Sequence, residues 1–204
     1  VSVSLFSSCI SLTSVTFLGN ITSIEPKAFK NCSSLQEFNI PNGVTIIGDS
    51  AFWGCSSLIN ISIPDSVISI GEYAFNYCIK LKNVTIPDSV KNLERGVFRQ
   101  CYDLEKVYIS NNINSIGEYT FSNCSSLYEV NIPGKTTFIG RMVFDGCTNL
   151  VSIKIPKSVI RVDYGIFSGC LNLTDIYCEV ESKPDAWKNS WNGSYATVLW
   201  GASI

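Results

Sequence analysis

A period of 23 residues governs this chain. Phe recurs at Phe6, Phe29, Phe52, Phe75, Phe98, Phe121, Phe144 and Phe167, and three residues after each comes Cys, from Cys9 and Cys32 through to Cys170. Leu follows three further on, at Leu12, Leu35, Leu58, Leu81, Leu104, Leu127, Leu150 and Leu173, with no insertion or deletion in any of the eight copies. A unit this short cannot bury its own apolar residues. Units repeated at a fixed spacing of roughly 20 to 50 residues must stack, so that each covers the next and one continuous core runs along a solenoid.

Within one copy, Leu81-Lys82-Asn83-Val84-Thr85-Ile86-Pro87 alternates apolar with polar residues. That is the period-two pattern of a half-buried strand, with Val84 and Ile86 inward and Asn83 and Thr85 outward. Pro closes most of these strands, at Pro41, Pro64, Pro87, Pro133 and Pro156, because it lacks the N–H that a continuing ladder needs. A second apolar pair follows, such as Val67 with Ile70, and then Gly at Gly48, Gly71, Gly117 and Gly140, where a side chain would obstruct a turn. Glu25 and Glu94 take that place in two copies as tolerated variation. The remaining stretch spaces Ile70, Ala74, Cys78 and Leu81 near 3.6 residues, which predicts a short amphipathic helical piece.

The motif Phe-x-x-Cys-x-x-Leu-x-x-Val/Ile-x-Ile-Pro-x-x-Val-x-x-Ile-Gly-x-x-Ala-Phe resembles the BspA-like class of leucine-rich repeats over about residues 1–178. The resemblance implies a right-handed curved solenoid, β-rich with short helical segments. It also implies a cell-surface or secreted protein engaged in adhesion or protein binding. Residues 179–204, with Trp187, Trp191 and Trp200, resemble the closing segment of bacterial members and are expected to cap the last coil. Pro184 is placed to open a short helix carrying Trp187 and Trp191 on one face, and Val198–Trp200 to add a final strand. Val1 falls inside a coil, so a natural chain continuing upstream is expected.

Composition closes off several functions. The chain has no His, which removes the usual general base and the commonest metal ligand, and with them Ser-His-Asp and Cys-His catalysis. Neither a catalytic residue, a cofactor nor a metal site is expected. Fifteen Lys and Arg against 17 Asp and Glu leave a net charge of −2, too little field to recruit nucleic acid. The apolar runs are also far shorter than a membrane-spanning helix needs. Eight of the nine Cys share one repeat position, and Cys178 occupies an inward strand position, so the thiols are expected to be free and buried in the core. Seven Asn-x-Ser/Thr triplets matter only in a glycosylating pathway, and a repeat rich in Ser and Asn produces such triplets freely.

What varies between copies is the outward strand face. One row reads Ser14, Glu37, Asn60, Asn83, Lys106, Glu129, Ser152, Asp175, and the next reads Thr16, Asn39, Ser62, Thr85, Tyr108, Asn131, Lys154, Tyr177. In solenoids such a sheet usually lines a concave binding surface, so Glu37, Asn39, Asn60, Ser62, Asn83, Thr85, Lys106, Tyr108, Glu129, Asn131, Lys154, Asp175 and Tyr177 are the candidate contacts for a protein or glycan ligand. The opposing reading is that a solvated strand face is polar simply to stay soluble. A structural spacer for another domain is the further alternative. Trp53, Tyr73, Tyr77, Tyr102 and Tyr119 fall on the other side of the coil, where they form either a second contact patch or scattered surface aromatics.

Overall fold

The computed structural model describes residues 1–202. Among the described residues fifteen short strands form, two in most coils, and each pairs in parallel with its equivalent in at least one neighbouring coil. The expected alternating segments become the strand face: Glu37–Asn39, Asn60–Ser62, Asn83–Ile86, Lys106–Ile109, Glu129–Val130, Ser152–Ile155, Asp175–Cys178 and Thr197–Trp200. Asn83–Ile86 alternates exposed and buried residue by residue, with Val84 and Ile86 inside. The second apolar pair forms a back ladder of two-residue strands, such as Ser69–Ile70 and Ser115–Ile116. Gly sits beside that ladder because of close approach: a Cβ on Gly71 would lie 2.6 Å from the Asp49 nitrogen, and one on Gly140 2.7 Å from the Glu118 nitrogen.

The helical piece does not form, and among the described residues there is no helix. Two residues per coil, four apart, hold a left-handed φ, as in Lys27 (59°) with Asn31 (60°) and Tyr73 (56°) with Tyr77 (62°). That geometry breaks a right-handed helix at once. The chain makes successive tight turns instead, and alternate N–H groups reach the neighbouring coil. Tyr73, Phe75 and Tyr77 donate to the carbonyls of Arg95, Val97 and Arg99, while Ala74, Asn76 and Cys78 bond locally to Gly71, Tyr73 and Phe75. Backbone polar groups buried in a stack must be paired, and this arrangement pairs them with a third inter-coil ladder. We call it the turn face.

Core side chains stack in register. The Phe rings lie 5.2–5.8 Å apart with planes within 14° of parallel, from Phe6 through Phe167. Below them each of the seven buried thiols at the repeat position, Cys32 through Cys170, donates to the Phe carbonyl of the preceding coil, as Cys55 Sγ does to Phe29 and Cys78 Sγ to Phe52, both at 3.2 Å. Cys therefore serves as a small core residue that also satisfies a buried acceptor. Eight of the nine Cys are buried, including Cys178. Cys9 departs from the expectation and is exposed, because the first coil is covered on one side only.

Residues 184–191 also form no helix; isolated turns run from Pro184 to Trp187 and from Lys188 to Trp191. The tail nevertheless follows the path of a coil with altered spacing. Lys188 donates to Val162 on the back, Ser190, Trp191 and Asn192 accept from Gly165, Ile166 and Phe167 on the turn face, and Thr197–Trp200 pairs with Asp175–Cys178. Trp187 and Trp191 are buried against it, with Trp187 Nε1 donating to the Val159 carbonyl at 3.2 Å.

Candidate binding surface

Strand pairing aligns the outward residues as two rows. Glu37 lies beside Asn60 and Asn60 beside Asn83; Asn39 lies beside Ser62. Asn83 neighbours Lys106 and Thr85 neighbours Tyr108, while Lys106 is followed by Glu129. Toward the C-terminus Ser152 faces Asp175 and Lys154 faces Tyr177. Strands in one sheet are about 4.8 Å apart, so each row presents a side chain at that interval.

Between Asn83 and Asn131 the face forms a concavity of about 490 Å³. Its floor holds Val84 and Val107, and Tyr108 stands in it 60% exposed. Lys106 donates to the Glu129 carboxylate at 2.7 Å and lies 5.3 Å from the Tyr128 ring centre. The bond to Glu129 holds the Lys106 ammonium above the ordinary lysine pKa. Asn83 and Thr85 are exposed and make no side-chain hydrogen bond within the protein, so both present open donors and acceptors to a ligand. The site therefore offers an apolar floor, one aromatic wall, an ion pair and two unengaged polar groups.

Asn131 has another task. Its amide accepts from the Ile109 N–H at 3.0 Å and donates to the Ile109 carbonyl at 2.9 Å, so a side chain does what the next strand would do. The strand face is divided there: the sheet of five strands ending at Glu129–Val130 does not pair with Ser152–Ile155, while the back ladder continues across the same boundary, Phe138–Ile139 pairing with Arg161–Val162. Beyond the division Tyr177, Asp175 and Lys154 are half-buried. Lys154 Nζ meets Glu179 at 2.7 Å, and Glu179 also accepts from the Lys157 N–H. The hydrogen bond from Lys154 comes first in holding the Glu179 carboxyl below its ordinary pKa. The candidate rows thus separate into an open half and a half engaged with the tail.

Tyr128 and Glu179 were not in the candidate rows. Tyr128 precedes its strand by one residue and escapes the alternation; Glu179 follows the last residue of Asp175–Cys178. Among the described residues no group of three or more Cys, Asp and Glu is placed to hold a metal ion, and no helix is long and apolar enough to cross a membrane.

The family model for the BspA type leucine rich repeat region matches residues 1–127 and 45–174, in six copies. Among solved structures, the chain is similar to a leucine rich repeat protein of T. pallidum, at 30% identity and TM-score 0.61 over 78% of this chain and 71% of that one. A leucine rich cell surface protein of Faecalibacterium prausnitzii aligns at 25% identity and TM-score 0.54, over 98% and 69%. A leucine-rich repeat protein of Bacteroides ovatus aligns at 26% and 0.52, over 87% of this chain and 58% of that one. No similarity to a curated protein was found.

Proposed function

Because this chain belongs to the BspA-type leucine-rich repeat family, a group of non-enzymatic interaction scaffolds, we propose that its strand face is a recognition surface for a protein ligand, in an extracellular or surface-attached adhesin. The observation that carries the reading is the concavity around Tyr108, where a largely exposed aromatic ring stands over an apolar floor beside the Lys106–Glu129 pair. Tyr is one of the residue types in which binding hot spots are enriched, and a ring 60% exposed over buried valines supports a contact role beyond that of a merely solvated sheet. Asn60, Ser62, Glu37 and Asn39 extend the contact toward the N-terminal coils, with side chains that carry no internal hydrogen bond. The surface location follows the cell surface protein of F. prausnitzii. Residues 179–204 serve in this reading as the closing segment, and the charges of Lys154 and Glu179 as part of its seam.

The test is selection from a displayed random-peptide library, run on the wild type and on a variant with Asn83, Thr85, Lys106 and Tyr108 all changed to Ala. Peptides enriched on the wild type should lose binding by at least about tenfold on the variant. Equal enrichment on both proteins, each with an intact melting transition, removes the strand face from the reading. A spacer without ligand enriches nothing on either.

A further inference from the structure

The turn face carries a separate depression of about 280 Å³, lined by Lys30, Trp53, Asn76 and Arg99 from one repeat position in four successive coils, with Ser50, Tyr73 and Gln100 beside them. From its geometry we propose that it is a site for a single acidic sugar ring, one bearing a carboxylate, and that it works independently of the strand face.

Asn76 is 4% exposed, yet its side-chain amide has no hydrogen-bond partner in the protein although it borders the opening. Buried polar groups are nearly always paired, so an unpaired amide lining an opening marks a place for a ligand. Both cations are also uncommitted. Neither Lys30 nor Arg99 has a carboxylate within 4.0 Å, and no Asp or Glu lines the depression. Lys30 Nζ rests 4.5 Å above the Trp53 ring, and the Arg99 guanidinium lies over Tyr119 with its Nε buried and unbonded. A cation held only by a ring face is free to form a charge-assisted hydrogen bond. When Lys30 turns to an incoming carboxylate, it uncovers the indole, which stacks with Tyr77 at 6.4 Å. The C–H face of a sugar can then pack on that ring. Ser50, Asn76 and Gln100 supply donors and acceptors for its hydroxyls. The volume admits one ring and is too small for a peptide strand with side chains.

Isothermal titration calorimetry with glucuronate, N-acetylneuraminic acid, glucose and inorganic sulfate tests the assignment. At least one acidic sugar should bind saturably, with glucose weaker by about tenfold or more, the worth of one charged hydrogen bond, and sulfate weaker by about as much because it has no C–H face to pack on Trp53. Lys30→Gln should bring the acidic sugar down to the level of glucose, Trp53→Ala should weaken both sugars, and Tyr108→Ala on the other face should change neither. Absence of saturable heat from both acidic sugars overturns the proposal, as does binding of sulfate as tight as theirs. Unchanged binding by Lys30→Gln also overturns it, and that variant keeps a polar, flexible side chain at a surface position, so its fold is not at issue.

Discussion

The strand face and the turn face are built from the same 23-residue period and share one core, but they hold the coils together differently. On the strand face the backbone is extended, residues alternate in and out, and the outer rows are mostly small and polar. On the turn face every coil spends two left-handed residues to aim alternate N–H groups at its neighbour, and the side chains outside are large: Trp53, Tyr73, Tyr119, Arg99, Arg141. Arg95, Arg99 and Arg141 all approach the single ring of Tyr119, at 5.4–5.6 Å. The difference teaches that regular hydrogen bonding between coils does not require regular secondary structure, and that the irregular side is the one with room for long side chains.

The tail continues both faces, so its removal should have the largest effect. Deleting residues 182–204 uncovers the last strand, the last turn and the space filled by Trp187 and Trp191, and the protein should aggregate in light scattering. A truncated chain that stays monomeric with the same melting curve shows that neither face needs it.

Alkali comes next. Burial pushes the core thiols above their ordinary pKa of 9.0, Cys32 to about 11 and Cys170 and Cys178 to about 12. The unfolded chain loses these protons first. Stability is therefore complete below pH 9 and falls as the pH climbs through 9 toward 11 and 12, by about 1.4 kcal/mol per pH unit for each thiol. Since all the Cys but Cys178 lie on the turn segment, hydrogen exchange should rise at Phe75–Cys78 before it rises at Asn83–Ile86; the opposite order breaks the contrast between the faces.

Leu81 is fully buried and belongs to the core common to both faces. Leu81→Ala should cost about 2–5 kcal/mol and lower strand circular dichroism and aromatic fluorescence in one transition. Two separated transitions mean that the faces fold apart.

Glycine substitutions should have opposite signs. Lys27 is exposed at φ 59°, so Lys27→Gly relieves left-handed strain and should stabilise by up to about 1 kcal/mol. Thr85→Gly on an extended strand should destabilise by about 1 kcal/mol. Chemical denaturation measures both. Smallest of all is Glu129→Gln, which removes an exposed ion pair and should leave the melting temperature unchanged while altering ligand binding on the strand face.

The strand face was legible because alternation and register are read directly from residue types: Val84 and Ile86 inside, Asn83 and Thr85 outside. The turn face misled because Ile70, Ala74 and Cys78 do point inward at helical spacing, and inward spacing alone does not distinguish a helix from a run of tight turns. A signal was present in Gly54, Gly96, Gly146, Gly165 and Gly169, which share repeat positions with the left-handed Asn31, Tyr73 and Tyr77. Glycine scattered through a supposed helix at two fixed positions marks positive φ. The role of Asn131 left no such trace, since nothing in its residue type separates an amide that meets solvent from one that replaces a strand.

Eight of the sulfurs lie inside the stack, none of them in a disulfide. An oxidant or a thiol reagent reaches them only where neighbouring coils part, so the fold shields eight reactive groups without spending a bond on any of them, and the rate at which they are labelled reads how often the stack opens.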